Sequence, residues 1–142
     1  MSYDPRWRAR RSTTTTPELP HHRVLVVDDD VDHRDAISCF FQMQGVDVST
    51  AADGQEALDA LAAGPIHCVI VLDLDMAGMD GFEFRRRQLL SLEWAGIPVL
   101  ILSGHPQLKA VTRTMQAREV WAKPIELMLL LRAVGQHCLG DH

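Results

Sequence analysis

Three short runs of this chain, RVLVV (23–27), IHCVIVL (66–72) and IPVLIL (97–102), are apolar almost without alternation. A strand with one wet face alternates apolar and polar residues, whereas a strand covered on both faces does not. The three runs therefore require a sheet buried between two layers. VDVST (46–50) and EVWA (119–122) supply two more strand candidates. Amphipathic segments fill the gaps. Residues 31–44 place Ile37, Phe40 and Phe41 on one face, 54–63 place Ala57, Leu58 and Leu61, 82–92 place Phe82, Leu89 and Leu92, and 107–116 and 125–138 complete five helices. Gly45, Gly64 and Gly96 fall where helices should stop, and Pro65, Pro98 and Pro124 where the next elements should begin. Strand and helix thus alternate five times over. Right-handed crossovers turn that order into an open α/β fold with a doubly wound, five-stranded parallel sheet. Such sheets bind ligands beyond the carboxyl ends of their strands.

Those ends hold the chain's most reactive residues. Strand one runs into Asp28, Asp29 and Asp30, strand three ends in LDLD with Asp73 and Asp75, strand four in LSGH with Ser103, and strand five in AKP with Lys123. Carboxylates crowded beside a low-dielectric core repel one another and lose hydration, so they require a cation among them. Carboxylates, a hydroxyl and a lysine on one edge suit a hard divalent cation, Mg²⁺ or Mn²⁺, together with a phosphoryl group. The chain has neither a G-x-x-x-x-G-K-[ST] loop nor a G-x-G-x-x-G turn, so a backbone cradle for a nucleotide polyphosphate is missing. An aspartate beside a metal can instead take the phosphoryl group on its own oxygen, as an acyl phosphate. Asp73, central on a strand that reads as buried, is the natural acceptor, with Lys123 and Ser103 to hold the group afterwards.

Composition bounds the rest. A chain of 142 residues fits one domain, which would bury about two-thirds of its unfolded surface. Residues 1–23 carry five arginines against Asp4 and Glu18, whereas the remainder carries nine basic residues against seventeen acidic ones. With Thr13 to Thr16 in sequence and few aliphatic residues, 1–21 is expected to be a disordered basic arm, 22–139 the folded domain and 140–142 a short tail. RWRARR sets Trp7 among arginines, a pattern that nucleic-acid patches use, but short basic clusters are common and a solvated tail is the expectation. Cys39, Cys68 and Cys138 are odd in number, far apart and without a C-x-x-C pair, so they read as buried thiols of a reducing compartment. No apolar run approaches the ~20 residues of a membrane span and no signal peptide opens the chain, which makes a cytoplasmic setting the expectation.

The motifs together resemble the receiver domain of two-component response regulators, over roughly residues 22–139. VLVVDDD is similar to the family's acidic-pair motif, AADGQEAL (51–58) to the start of its second helix, VIVLDLDMAGMDGFE to its phosphoacceptor strand and following loop, and PVLILSG and WAKP to its last two motifs. The resemblance implies a flavodoxin-like fold with strand order 2-1-3-4-5 and five helices. It implies that Asp73 is the phosphoacceptor, that Asp29 ligates Mg²⁺ directly, that Asp28 holds it through water and that Asp75 offers its backbone carbonyl. Ser103 matches the switch hydroxyl and Lys123 the lysine that pairs with the phosphoryl group. Asp75 and His105 occupy the variable positions that tune hydrolysis of the acyl phosphate.

The same resemblance implies a phosphohistidine donor, on a sensor histidine kinase or a histidine phosphotransfer protein, and no enzyme activity beyond slow autodephosphorylation. With no output domain following, the chain is expected to stand alone. It would serve as a phosphorelay shuttle or as a switch that binds a downstream protein through the face of 107–116, strand five and the last helix. Met128 and Leu129, left over from the core spacing of Leu127, Leu130, Leu131 and Val134, are candidates for a partner or homodimer face. Neither membrane nor nucleic acid is an expected partner.

Three departures from the family pattern stand out. Ala77 replaces the usual proline after the acceptor, Gln116 replaces a usual glycine before strand five, and Val120 stands where an aromatic ring usually swings inward, with Trp121 expected on the opposite face. Other acidic residues have simpler duties. Asp30 reads as the N-cap of the helix from Val31, and Asp53 and Asp80 as caps or turn residues. The seven histidines show no pair at helical ligand spacing and read as solvated or packed.

Two other functions fit part of the pattern. Haloacid-dehalogenase-type phosphatases also place D-x-D after an apolar strand, but they expect Thr or Val where Met76 stands and leave Asp28 to Asp30 unexplained. A receiver-like module that docks without being phosphorylated would not need Asp29, Asp73 and Lys123 together.

Overall fold

The computed structural model describes residues 23–64, 66–74, 81–104 and 116–139. In chain order the elements are β1 (Arg23–Val27), α1 (Val31–Met43), β2 (Asp47–Ala51), α2 (Gly54–Ala63), β3 (Val69–Asp73), α3 (Gly81–Leu89), β4 (Val99–Ser103), β5 (Glu119–Ala122) and α4 (Leu127–Leu139). The five strands form one parallel sheet in the order β2-β1-β3-β4-β5, the flavodoxin-like order that the resemblance implies.

Side chains along the strands alternate between two apolar layers. Val24, Val26, Val69, Val71, Leu100 and Leu102 pack with Ile37 and Phe41 of α1 and with Leu130, Leu131 and Val134 of α4. Leu25, Val27, Ile70, Leu72 and Ile101 pack with Ala57 and Leu61 of α2 and with Phe84 of α3. Every residue of β3 and β4 is buried, which is why these strands show no polar alternation. Leu127 packs from the margin and Leu129 is exposed, as the helical spacing predicts.

Caps set the helix starts. Asp30 accepts the backbone N–H groups of Asp32 at 3.0 Å and His33 at 3.2 Å, and Asp53 accepts that of Glu56 at 2.8 Å. Glu56 reaches back to the N–H of Ala52 at 2.8 Å, so two otherwise orphaned donors are satisfied. Each cap contributes about 1 kcal/mol.

Three expectations need correction. Helix α3 stops at Leu89 and leaves Leu92 fully exposed, because the Gln88 amide donates to the carbonyls of Trp94 (2.8 Å) and Ile97 (3.1 Å) and the Ser91 hydroxyl holds the following turn. Cys68 and Cys138 are not thiols but a disulfide, with Cα atoms 5.3 Å apart, and Cys39 is exposed rather than buried. Seventy residues separate the bonded pair, and only the packing of α4 beside the start of β3 brings them together. Four helices stand among the described residues where five were expected; 107–115, the arm over 1–21, the tail over 140–142, Ala77 and Asp80 lie outside them. Gln116 is a turn residue with a positive φ of 58°.

Candidate functional site

Strand register brings the polar ends together. Val27 pairs with Leu72, so Asp28, the residue after β1, follows level with Asp73 on β3; Asp73 pairs with Leu102, and Ser103 with Ala122, the residue before Lys123. Parallel strands in this register deliver Asp28, Asp73, Ser103 and Lys123 to one edge, although 95 positions separate the first from the last.

Asp73 is the last residue of β3 and is buried. Lys123 Nζ lies 3.0 Å from Asp73 Oδ2, a charge-assisted contact on a carboxylate shielded from water. One carboxylate oxygen each of Asp28, Asp29 and Asp73 can be chosen so that all three lie within 4.8 Å of one another. Asp28 is buried and Asp29 exposed, so the cluster opens to solvent on one side. Three carboxylates outnumber the Lys123 ammonium at Asp73 and the Arg34 guanidinium at the Asp28 carbonyl, which leaves the cluster negative in a partly desolvated pocket. An all-oxygen donor set with an open side fits Mg²⁺ or Mn²⁺, which keep several waters when bound by a few carboxylates.

Asp28 is held more fully than the sequence suggests. Its Oδ1 accepts the backbone N–H of Asp30 at 2.9 Å, its Oδ2 contacts His33 Nδ1, and its carbonyl accepts Arg34 Nη1 at 2.8 Å. Sequence reading passed over His33 and Arg34; the available signal was their place in the first turns of a helix that opens beside an acidic pair. Ser103 is buried at the end of β4. Asp75 and His105 lie outside the described residues.

Behind the edge, Val120 packs in the layer of α2 and α3, and Trp121 in that of α1 and α4, the opposite face, as strand alternation predicts. Trp121 Nε1 donates to Glu119 Oε1 at 2.9 Å. Helix α3 begins tight against the acceptor strand: a Cβ on Gly81 would come within 2.8 Å of Leu74 Cδ2 and 3.1 Å of the Asp73 carbonyl oxygen. Arg85, buried in the same helix, donates to Gln88 Oε1 at 2.6 Å and to the Gln116 carbonyl at 2.9 Å, tying α3 to the turn before β5. No described helix is long and apolar enough to cross a membrane.

Comparison with known proteins agrees with this geometry. A family model described as the response regulator receiver domain matches residues 24–135. The two-component response regulator ORR3 of Oryza sativa subsp. indica is 32% identical over 116 residues, covering 80% of this chain and 88% of its own length. The transcriptional regulatory protein FixJ of Bradyrhizobium diazoefficiens is 32% identical over 105 residues, covering 72% of this chain but only 50% of FixJ. Among solved structures, the chemotaxis protein CheY4 of Vibrio cholerae superposes with a TM-score of 0.76 at 31% identity, covering 83% of this chain and 99% of that one.

Proposed function

The chain belongs to the response regulator receiver domain family, and from that premise we propose that Asp73 accepts a phosphoryl group from a phosphohistidine of a sensor histidine kinase or histidine phosphotransfer protein. The observation that carries this reading is the 3.0 Å contact of Lys123 Nζ with Asp73 Oδ2 beside two further carboxylates. Asp73 attacks phosphorus, the P–N bond of the donor breaks, and the departing imidazole keeps the electron pair and takes up a proton. Lys123, already at the acceptor oxygen, then faces the added phosphoryl charge, and the Ser103 hydroxyl donates a hydrogen bond to a phosphoryl oxygen. Asp28, Asp29 and Asp73, with the backbone carbonyl of Asp75, would hold Mg²⁺ or Mn²⁺. When bound, the ion screens Asp73 from the incoming phosphoryl oxygens.

The consequence of phosphorylation is a change in the surface of β5 and the elements flanking it, read by a downstream protein or used to pass the group on in a relay. Val120 in place of a ring means that the change does not run through an aromatic swing at this position. Asp75 and His105 are proposed to tune the lifetime of the acyl phosphate. A phosphohistidine donor would support a cytoplasmic setting, where thiol buffers oppose the Cys68–Cys138 bond.

The test is labelling by a small phosphodonor, acetyl phosphate with Mg²⁺. Wild type should take up one acid-labile phosphoryl group and Asp73→Asn none, and beryllofluoride should bind wild type alone. Undiminished labelling of the variant sinks the assignment of Asp73. An intact site that neither labels nor binds beryllofluoride would favour a docking module without phosphorylation, and sustained hydrolysis of phosphomonoesters a phosphatase.

A further inference from the structure

We infer that His33 is a positioning residue for the cation site, setting the orientation of Asp28 and with it the affinity for Mg²⁺; the inference rests on the reading of the acidic cluster given above. The Asp28 side chain is only 1% exposed, and its two oxygens are gripped separately. Oδ1 takes the 2.9 Å bond from the backbone of Asp30, while Oδ2 meets His33 Nδ1. An ionised carboxylate only accepts, so the Nδ1 atom must carry the hydrogen in this contact. One donor would leave the carboxylate able to turn about its Cβ–Cγ bond. Two donors, one on each oxygen, fix its plane.

The imidazole is itself well anchored. His33 stands in the first turn of α1, and its own backbone N–H is held by the Asp30 cap at 3.2 Å. Arg34, the next residue, binds the Asp28 carbonyl at 2.8 Å. Backbone and side chain of Asp28 are thus tied to the same helix start, and the cap fixes the backbone from which the ring reaches Oδ2. The carboxylate cluster consists of Asp28, Asp29 and Asp73, without His33. The imidazole therefore acts on the cation through Asp28. Each carboxylate oxygen has a second lone pair, so the grip leaves Asp28 able to face the cation and its water. Hydrogen-bond partners of ligating groups commonly change metal affinity by about 10–100-fold when removed, and the loss expected here is about tenfold.

The experiment is calorimetric titration of the full chain with Mg²⁺, repeated with Mn²⁺ by paramagnetic resonance, at one fixed pH. Wild type, H33F, H33N, D28N and the D28N/H33F double variant are compared, with thermal melts in chelator for each. H33F should bind about tenfold more weakly than wild type. H33N, whose amide can donate from nearly the same place, should stay within about threefold. In the D28N background, adding H33F should change affinity by less than about twofold, because the effect passes through Asp28. A His33 that merely supports the helix would lower affinity equally in both backgrounds, and that result overturns the inference, as does H33F binding as tightly as wild type. Should H33F not fold, H33A carries the same expectation. Absence of binding by wild type would instead overturn the reading of the acidic cluster as a cation site, a failure that the cycle keeps separate.

Discussion

Lys123, the residue after β5, and Asp73, the last of β3, fifty positions apart, meet as an ion pair at 3.0 Å across the end of β4, with the carboxylate buried and the lysine side chain about one-quarter exposed. The two strands are not neighbours in the sheet, so the lysine must reach over Ser103 to make the contact.

Replacing Lys123 by methionine keeps the length of the stem but leaves the Asp73 carboxylate facing Asp28 and Asp29 without that cation. We expect a loss of about 1–3 kcal/mol in chelator, between the values for surface and buried pairs, and a smaller loss with Mg²⁺ present. Urea melts in both conditions check this; equal losses would separate the lysine from the cation site.

His67 gives the fold an acid-sensitive point far from the site. Burial first, and the charge of Arg23 second, lower its pKa from 6.5 to about 4. Above pH 6.5 neither the folded nor the unfolded chain binds this proton, and the full stability is present. As pH falls from 6.5 towards 4 the unfolded chain takes the proton and the folded one does not, so stability declines by an amount on the order of 3 kcal/mol. Its Nε2 contacts the Ser49 hydroxyl at 3.0 Å while its buried Nδ1 has no partner among the described residues, so His67→Phe should remain folded. The difference in stability between wild type and variant should track pH through that window; a flat difference refutes the assignment.

Gln116 holds a φ of 58°, a left-handed conformation that costs a non-glycine residue about 1–2 kcal/mol. Arg85 compensates by binding its carbonyl. Gln116→Gly should therefore stabilise the chain by about 0.5–1 kcal/mol, after the added freedom of the unfolded glycine is subtracted. Gln116→Val should destabilise it by at least as much. Denaturant midpoints of the two variants, moving in opposite directions, are the check.

The Cys68–Cys138 bond closes a separation of 70 residues, and opening it with reductant should lower stability by about 2–4 kcal/mol. Under oxidising, native conditions a thiol reagent should modify one cysteine per chain, the exposed Cys39, and after reduction and unfolding all three. Three modified sites without reduction would show that the pair is open.

Much of this arrangement is legible before any coordinates. β1 and β5 match the segments read from the sequence residue for residue, and Asp30 and Asp53 cap the helices they were expected to cap, because strands buried on two faces and Asx caps are local signals. The acidic edge is legible because parallel strands in register deliver their ends to one place. What escapes is set by contacts distant in sequence or by side-chain direction. Cys68 meets Cys138 only after α4 has packed, α3 ends early because Gln88 reaches two carbonyls further along, and His33 turns to Asp28 through a rotamer that no spacing reveals.

The close approach of Gly81 to Leu74 and the Asp73 carbonyl has a further consequence. Leu74 and Gly81, with six positions between them in the sequence, stand almost side by side, so the connection between them spans next to no distance. The entropy of closing such a connection grows only slowly with its length. Residues added between Leu74 and Gly81 would join two points that already touch, and neither β3 nor α3 would have to move. The sequence positions between Asp75 and Gly81 are thus where a lineage of such chains can gain or lose residues with the least disturbance to Asp73.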